Sequence, residues 1–455
     1  MRPIEQELLE RAARAVELAK KGGADVAEAV ASRGMHLSAS VRMGEPEHLE
    51  EAGSRGLGLR VMIGKRVSHT HTNDVSDDGL RLLVEDALEL ARLSEEDPYA
   101  GVPDPEELHR GGDERDLQLV DPAVDSVDGA RGIELALAAE AAARAFDPRI
   151  ENSEGATFTR VSGARALVTS GGFEGVSRGS FASISAVPVA LDDGGKRRRG
   201  HYHSAARHLA DLLDPEAVGR EAARRAIATL GSKKIASGEM PVVFDREAAR
   251  SIIGLVASCI LGGAVYRRQS FLATRLGEVV ASPLLTLVDD PFIVKGHGSR
   301  LFDGEGLPSR VNTVIRDGVL ETFLLDGYSA RRLSSKSTAS AARGASGGVS
   351  ASTTNLVMKP GTLSHDELLR DTGRGLYVTQ MMGFGFNAVT GDFSRGASGF
   401  LIEDGKLGAP VSEVTISLNL GEILARIDAV ADDPDPRSSI ITPTFRVSRM
   451  TVSGT

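Results

Sequence analysis

The sequence predicts an α+β protein of two domains, and three observations carry that prediction. Across residues 3–230 the periodicities run helix, strands, helix, helix, strands, helix, which is not the strict alternation of a doubly wound parallel sheet. A short polar connector, Gly231 to Gly238 (GSKKIASG), then precedes a second half that is mostly strand. Within that half Arg246 to Leu261 reads as a helix whose middle, Ser251 to Leu261, carries no charge, so it is expected to be buried on nearly all sides at the centre of its domain. The predicted division is 1–232, an N-terminal domain of helices and antiparallel sheet, and 233–455, a β-rich domain with one central buried helix.

In chain order, residues 3–22 form an amphipathic helix with Ile4, Leu8, Ala12, Ala15 and Val16 on its apolar stripe, ended by Gly22-Gly23. From Ala24 to Ser68 the period shortens to two, with turn signals at Gly44-Glu45-Pro46 and Gly64-Lys65. Asp77 to Ser94 returns to helical spacing, a Pro-rich and charged connector runs from Glu95 to about Asp121, and Gly129 to Phe146 is an alanine-rich helix. Residues 150–208 read as strands with a turn at Asp192 to Gly195, and Asp214 to Leu230 as a helix.

The second half opens with the strand PVVF and the uncharged helix, for which Asp245 is the N-cap and Gly262-Gly263 the expected left-handed stop. Asp317-Gly318 and Asp404-Gly405, each between alternating segments, predict type I′ hairpins. Leu333 to Thr354 is low in complexity and nearly without large apolar residues, so a mobile loop is expected there. The tail from Thr442 alternates and predicts a last strand.

Composition narrows the function. Lys plus Arg is 53 and Asp plus Glu is 63, a formal charge of −10, so neither nucleic acid nor an anionic membrane is the expected partner. Aromatics at 4% with no tryptophan argue against a base-stacking surface. No run reaches eighteen apolar residues and the first helix lacks a signal-peptide pattern, so the expectation is a soluble cytoplasmic protein. One cysteine excludes an internal disulfide and any multi-cysteine metal cluster, and Cys259, inside the apolar run, reads as a buried inert side chain.

Most motif matches dissolve on inspection. Gly344-Ala345-Ser346-Gly347-Gly348 spells a nucleophile elbow but has loop composition on both flanks. Gly56-Leu57-Gly58 and Gly383-Phe384-Gly385 lack the context of a dinucleotide fold. His69 with His71, and His201 with His203, share strand faces but lack a clear third ligand, and His297 lies in a loop near Asp303 and Glu305.

Two stretches carry a resemblance. The uncharged helix with its Leu261-Gly262-Gly263 ending and Arg267, and Val389-Thr390-Gly391-Asp392-Phe393 followed by Gly399 to Gly405 (GFLIEDG), are similar to the TldD/PmbA family, as is GSRLFDGEGLPSRVNTVIRDGVL within residues 296–330. The family implies two kinds of subunit in one zinc-peptidase complex. The TldD type carries His-Glu-x-x-x-His on its buried helix and a cysteine near its C-terminus. In this chain Gly254, Leu255 and Cys259 stand at the motif positions, and Ala429 to Ile441 holds no cysteine. The chain therefore resembles the PmbA (TldE) type, for which the resemblance implies no metal or catalytic residue in this chain, zinc on a TldD-type partner, and extended peptides as substrates. Asn387, Thr390, Asp392 and Arg395 are the residues it offers for peptide contact, against a turn-making role for Asp392 and the glycines. The rivals are a homo-oligomeric peptide-binding module and a self-sufficient hydrolase using Cys259 or a histidine cluster.

Overall fold

In the computed structural model, which describes residues 4–112 and 115–454, the first half is one antiparallel sheet with helices on one face. The chain runs α1 (Ile4–Lys21), β1 (Val26–Arg42), β2 (Glu45–Ile63), β3 (Arg66–Thr72), α2 (Asp77–Leu93), α3 (Pro122–Asp125), α4 (Gly129–Arg144), β4 (Asn152–Thr169), β5 (Glu174–Leu191), β6 (Arg197–Arg199), β7 (Tyr202–Ala206) and α5 (Pro215–Ala228). The strands order as β3-β2-β1-β4-β5-β6, with β7 on β5. Ser76, Asp128 and Asp214 cap α2, α4 and α5 by accepting bonds from first-turn amides.

Alternation decides the covered face. Ala27, Ala29 and Ala31 of β1 pack with Ala164, Ala166 and Val168 of β4 beneath α1 and α2. Further along the same face, Leu37, Ala39 and Val41 pack with Phe158 beneath α4. The other face, carrying Glu28, Val30, Ser32 and Gly34, turns toward the second half of the chain.

That second half runs β8 (Gly238–Phe244), α6 (Arg246–Ile260), α7 (Gly262–Tyr266), β9 (Leu287–Asp289), β10 (Asn312–Arg316), β11 (Val319–Leu320), α8 (Gly327–Arg332), β12 (Ala341–Arg343), β13 (Val349–Ala351), β14 (Leu356–Met358), α9 (His365–Thr372), β15 (Gly375–Met382), β16 (Asp392–Glu403), β17 (Lys406–Asn419), α10 (Leu420–Ala425), β18 (Ile427–Val430), β19 (Ile440–Ile441) and β20 (Phe445–Ser453). A six-stranded sheet, β17-β16-β15-β8-β20-β18, and a five-stranded one, β11-β10-β9-β14-β19, share a core with α6. Ile252, Ile253, Val256 and Ile260 are fully buried, each contributing about 1.5–3 kcal/mol. The two predicted turns have positive φ at both central residues, Asp317 (47°) with Gly318 (85°) and Asp404 (48°) with Gly405 (71°), as type I′ requires. The fold is α+β, as the periodicities predict.

Three expectations are corrected. Leu333–Thr354 is not a mobile loop: it folds into the β12–β13 hairpin, whose tip presses on β2 where any side chain at Gly58 would collide with Ala345. Small residues suit that close approach, and Arg343 anchors it by placing Nη2 3.1 Å from Glu28, which also binds Arg60 at 2.6 Å. The nucleophile-elbow match is the turn of this hairpin, with Gly344 N–H donating to Gly348 O. Secondly, α6 is not buried all round, because Ser251 and Ser258 are exposed and Gly254 and Leu255 partly so, a stripe at spacings of three and four. Thirdly, neither Gly262 nor Gly263 takes a left-handed conformation; Leu261, with φ −74° and ψ 136°, ends α6 by turning extended. Gly262 is needed for space, since a Cβ there would strike Ser329. Among the described residues no helix is long and apolar enough to cross a membrane.

Candidate functional site

The partly open stripe of α6 carries Gly254 and Leu255, two of the positions that the resemblance singles out. Asp245 caps the helix, accepting from Glu247 N at 2.8 Å, and Tyr377 Oη donates to its other oxygen at 3.0 Å. Burial pushes the Asp245 carboxyl up from the usual carboxylate range. Gly254 has only Ile440 Cδ1 near the place of its missing side chain, so there is room for a larger residue and none is there. Leu255 packs at the edge of the core, and Cys259 is buried, with burial pushing its thiol up and away from the thiolate form that binds metal or attacks carbonyls. Zinc needs nitrogen, thiolate or carboxylate donors. No group of three His, Cys, Asp or Glu side chains suited to a metal exists among the described residues, so the donors on this face do not fit zinc.

One turn earlier the helix carries a charged network of a different kind. Glu247 takes both nitrogens of Arg225 at 2.9 Å each and Arg437 at 2.7 Å. Burial opposes the Glu247 charge, but the two guanidiniums outweigh it and hold the carboxyl at about 2. Asp435 binds Arg437 at 2.8 Å and also Arg250, and Tyr202 lies under both Arg225 (4.6 Å) and Arg437 (4.8 Å). His201 and His203 sit beside this cluster, their rings 5.5 Å apart. Burial, then Arg437, depresses His203 to about 4, and the nearest carboxylate is already spent on arginine. The network ties α5, β7 and the 435–437 segment to α6. Sequence reasoning missed it because its members, from Tyr202 to Arg437, are up to 235 positions apart and none carries a local signal.

The signature loop between β15 and β16 is a self-bonded turn. Asn387 Oδ1 accepts from Val389 N (3.0 Å), Thr390 Oγ1 donates to Asp392 Oδ2 (2.6 Å), and Asn419 Nδ2 donates to Thr390 O (2.8 Å). Asn387, Thr390 and Asp392 are exposed and hold this turn, while the Arg395 guanidinium lies 5.8 Å from the Phe393 ring centre and its buried Nε has no protein partner. Phe386 N–H donates to Phe384 O, and Ala388 O accepts from Phe271 N, anchoring the loop to the core. At its tip Phe384 is 98% exposed between Gly383 and Gly385, with Met382 and Val389 exposed beside it.

The remaining candidates separate. His69 and His71 are exposed on β3 with no metal-competent group around them. His297 meets Phe181 edge-on with ring centres 5.6 Å apart and its carbonyl accepts from Arg207, whereas Asp303 and Glu305 are buried carboxylates that accept from backbone N–H groups. Asp303 accepts from Glu305 N, Leu307 N and Ala341 N, and Glu305 from Gly327 N at 2.7 Å. Burial, reinforced by Asp303, raises Glu305 to about 7.

The scaffold is thus an α+β fold whose central helix presents a partly open face without a metal-competent group of side chains among the described residues. Family models match along the chain: PmbA/TldA metallopeptidase domain 1 at residues 27–91, the central domain at 122–230 and the C-terminal domain at 237–454. The chain belongs to the PmbA/TldD family. It is 37% identical to "Metalloprotease PmbA" of Escherichia coli O157:H7, over 99% of this chain and 97% of that one. In Haemophilus influenzae it matches both a "Metalloprotease PmbA homolog" (35%, over 99% and 97%) and a "Metalloprotease TldD homolog" (27%, over 83% and 79%). A crystal structure from Bacteroides thetaiotaomicron, described as a proposed modulator of DNA gyrase, superposes with a TM-score of 0.93 at 29% identity, covering 100% of both chains.

Proposed function

We propose that this chain is the metal-free subunit of a two-chain PmbA/TldD-type peptidase, and that the zinc and the bond cleavage reside on a TldD-type partner. The carrying observation is the accessible face of α6, where Gly254 and Leu255 offer no donor and no general base while the helix and its core remain complete. The occurrence of PmbA and TldD homologues in one organism supports two chains working together. Phe384 at the tip of the signature loop is the side chain best placed for a partner's pocket, since a 98% exposed aromatic is the type that anchors interfaces. Asn387, Thr390, Asp392 and Arg395 then lie beside that contact, where they meet peptide or help close the chamber. On this reading the chain works as two units, 1–232 and 233–455, and acts on extended peptides.

Mixing the separately purified chain with a TldD-type subunit tests this, following cleavage of an unstructured peptide by mass spectrometry with each subunit alone as control. Cleavage is expected only from the mixture. Full-rate cleavage by the partner alone, or turnover by this chain alone, contradicts the proposal.

A further inference from the structure

Between the helix-free face of the first sheet and the 299–304 and 342–343 segments lies a cavity of about 670 Å³, within the ordinary range for ligand sites. Its floor is bare. Gly34 of β1 pairs with Gly163 of β4, which pairs with Gly179 of β5, so three adjacent strands present no side chain in one transverse row. Such a row lets another backbone approach closely. Ser32, Arg165 and Ser177 form the next row on that face, again in direct register.

The walls are cationic. Four arginines reach the cavity (Arg165, Arg207, Arg300 and Arg343) against one carboxylate, Asp303, whose oxygens already accept three backbone N–H groups, whereas Arg33 and Arg178, in register with Ala164, border it from the helix-covered face. Arg33 faces Glu7 at 4.0 Å, Arg178 pairs with Glu5 and Arg343 with Glu28. The other three are held by carbonyls: Arg165 by Arg343 O, Arg207 by Gly296 O and His297 O, and Arg300 by Ala341 O. Among the described residues no carboxylate forms an ion pair with any of these three, and Arg300 leaves Nε and Nη2 buried without a protein partner. Burial disfavours the charge of all three. Asp303 and Asp289 favour the charge of Arg300 while no carboxylate among the described residues does so for Arg165 or Arg207, and guanidinium forks match oxyanions in pairs.

We propose that this cavity binds the carboxylates of an acidic, extended peptide segment, its backbone lying over the glycine row and its side chains reaching Arg165, Arg207 and Arg300. The proposal rests on the peptide-handling reading above and adds the class of segment selected. A free oxyanion such as phosphate offers the same charge but no chain for the glycine row to receive.

The test is fluorescence anisotropy of the full chain with dye-labelled hexaglutamate amide, hexaglutamine amide as the neutral probe and inorganic phosphate as competitor. Hexaglutamate is expected to bind at least about tenfold more tightly than hexaglutamine, and to weaken as salt is raised. Arg165→Gln with Arg300→Gln should remove that preference, and Arg220→Gln on exposed α5 should not. Should the double variant fail to fold by circular dichroism, Ser177→Glu serves: Ser177 is exposed and opposite Arg165, so its carboxylate would occupy the site from within. Equal affinity for the two peptides, persistence of the preference in Ser177→Glu, or displacement by phosphate as effective as by free hexaglutamate overturns the proposal. A reconstituted complex that cleaves neutral peptides while the chain ignores hexaglutamate would sink the cavity and leave the subunit reading standing.

Discussion

The open face of α6 and the arginine-lined cavity are opposite cases. The α6 face is built from one continuous stretch, packs its other side fully into the core and, among the described residues, has no group of three metal-competent side chains. The cavity is assembled from several separated stretches and gathers four arginines, Arg165, Arg207, Arg300 and Arg343, with one carboxylate. The difference teaches that packing and charge are separate demands on a fold, because packing around α6 requires only apolar volume whereas gathering arginines requires partners that hold each charge in place. Each prediction below probes one side of that contrast.

The largest effect is expected at the edge of the cavity. Glu28 is buried between Arg60 and Arg343, and Glu28→Gln would leave two buried cations without their counter-charge, costing about 3–5 kcal/mol by chemical denaturation. A loss below 1 kcal/mol, on the order of an exposed pair, would mean that the hairpin is not anchored there.

Next is Glu305, one residue beyond Gly304 of the cavity wall. Its folded value of about 7 lies above its ordinary 4.5, so between those values the folded state holds a proton that the unfolded state has released. Stability attributable to this group therefore falls as pH rises from 4.5 to 7. Glu305→Gln keeps an acceptor for Gly327 N and removes the titration; at pH 8 it should be more stable than the parent by about 3 kcal/mol, with a flatter pH profile. Parallel pH profiles for the two proteins would contradict the buried-acid assignment.

On the α6 side, Cys259→Ala and Cys259→Ser should lower stability while leaving turnover of an assembled complex unchanged. Serine is expected to be the worse, by about 1–3 kcal/mol, for burying a hydroxyl. Loss of turnover in well-folded Cys259→Ala would give this face the chemistry denied to it here. Smallest in stability is Phe384→Ala, within about 0.5 kcal/mol because the ring touches almost nothing, yet it should weaken association with a TldD-type chain by tenfold or more in analytical ultracentrifugation.

Local signals were legible and long-range ones were not. The cap at Asp245, the two Asp-Gly turns, the alternating β1 to β3 and the apolar run of α6 follow from residues within a turn or strand of each other. The β12–β13 hairpin reads as disorder because its stabilising partners, Glu28 and the bare backbone at Gly58, lie nearly three hundred positions away. The glycine row is silent for the same reason: Gly34, Gly163 and Gly179 become neighbours only through strand register. Of the candidate site, the helix that carries Gly254 and Leu255 was readable, and so was the turn around Asp392. The arginines of the cavity and the Glu247 network were not, because charge scattered along a sequence resembles a solvated surface until the fold gathers it.

Zinc content measured alongside turnover tests the central claim most directly. Elemental analysis of the chain purified without an affinity tag, of a TldD-type partner and of their complex, each assayed on the same unstructured peptide, separates the metal from the fold. The account predicts no stoichiometric zinc on this chain, zinc on the partner, and cleavage only from the complex. About one tightly held zinc per copy of the isolated chain, with peptide cleavage that a chelator abolishes, would contradict it.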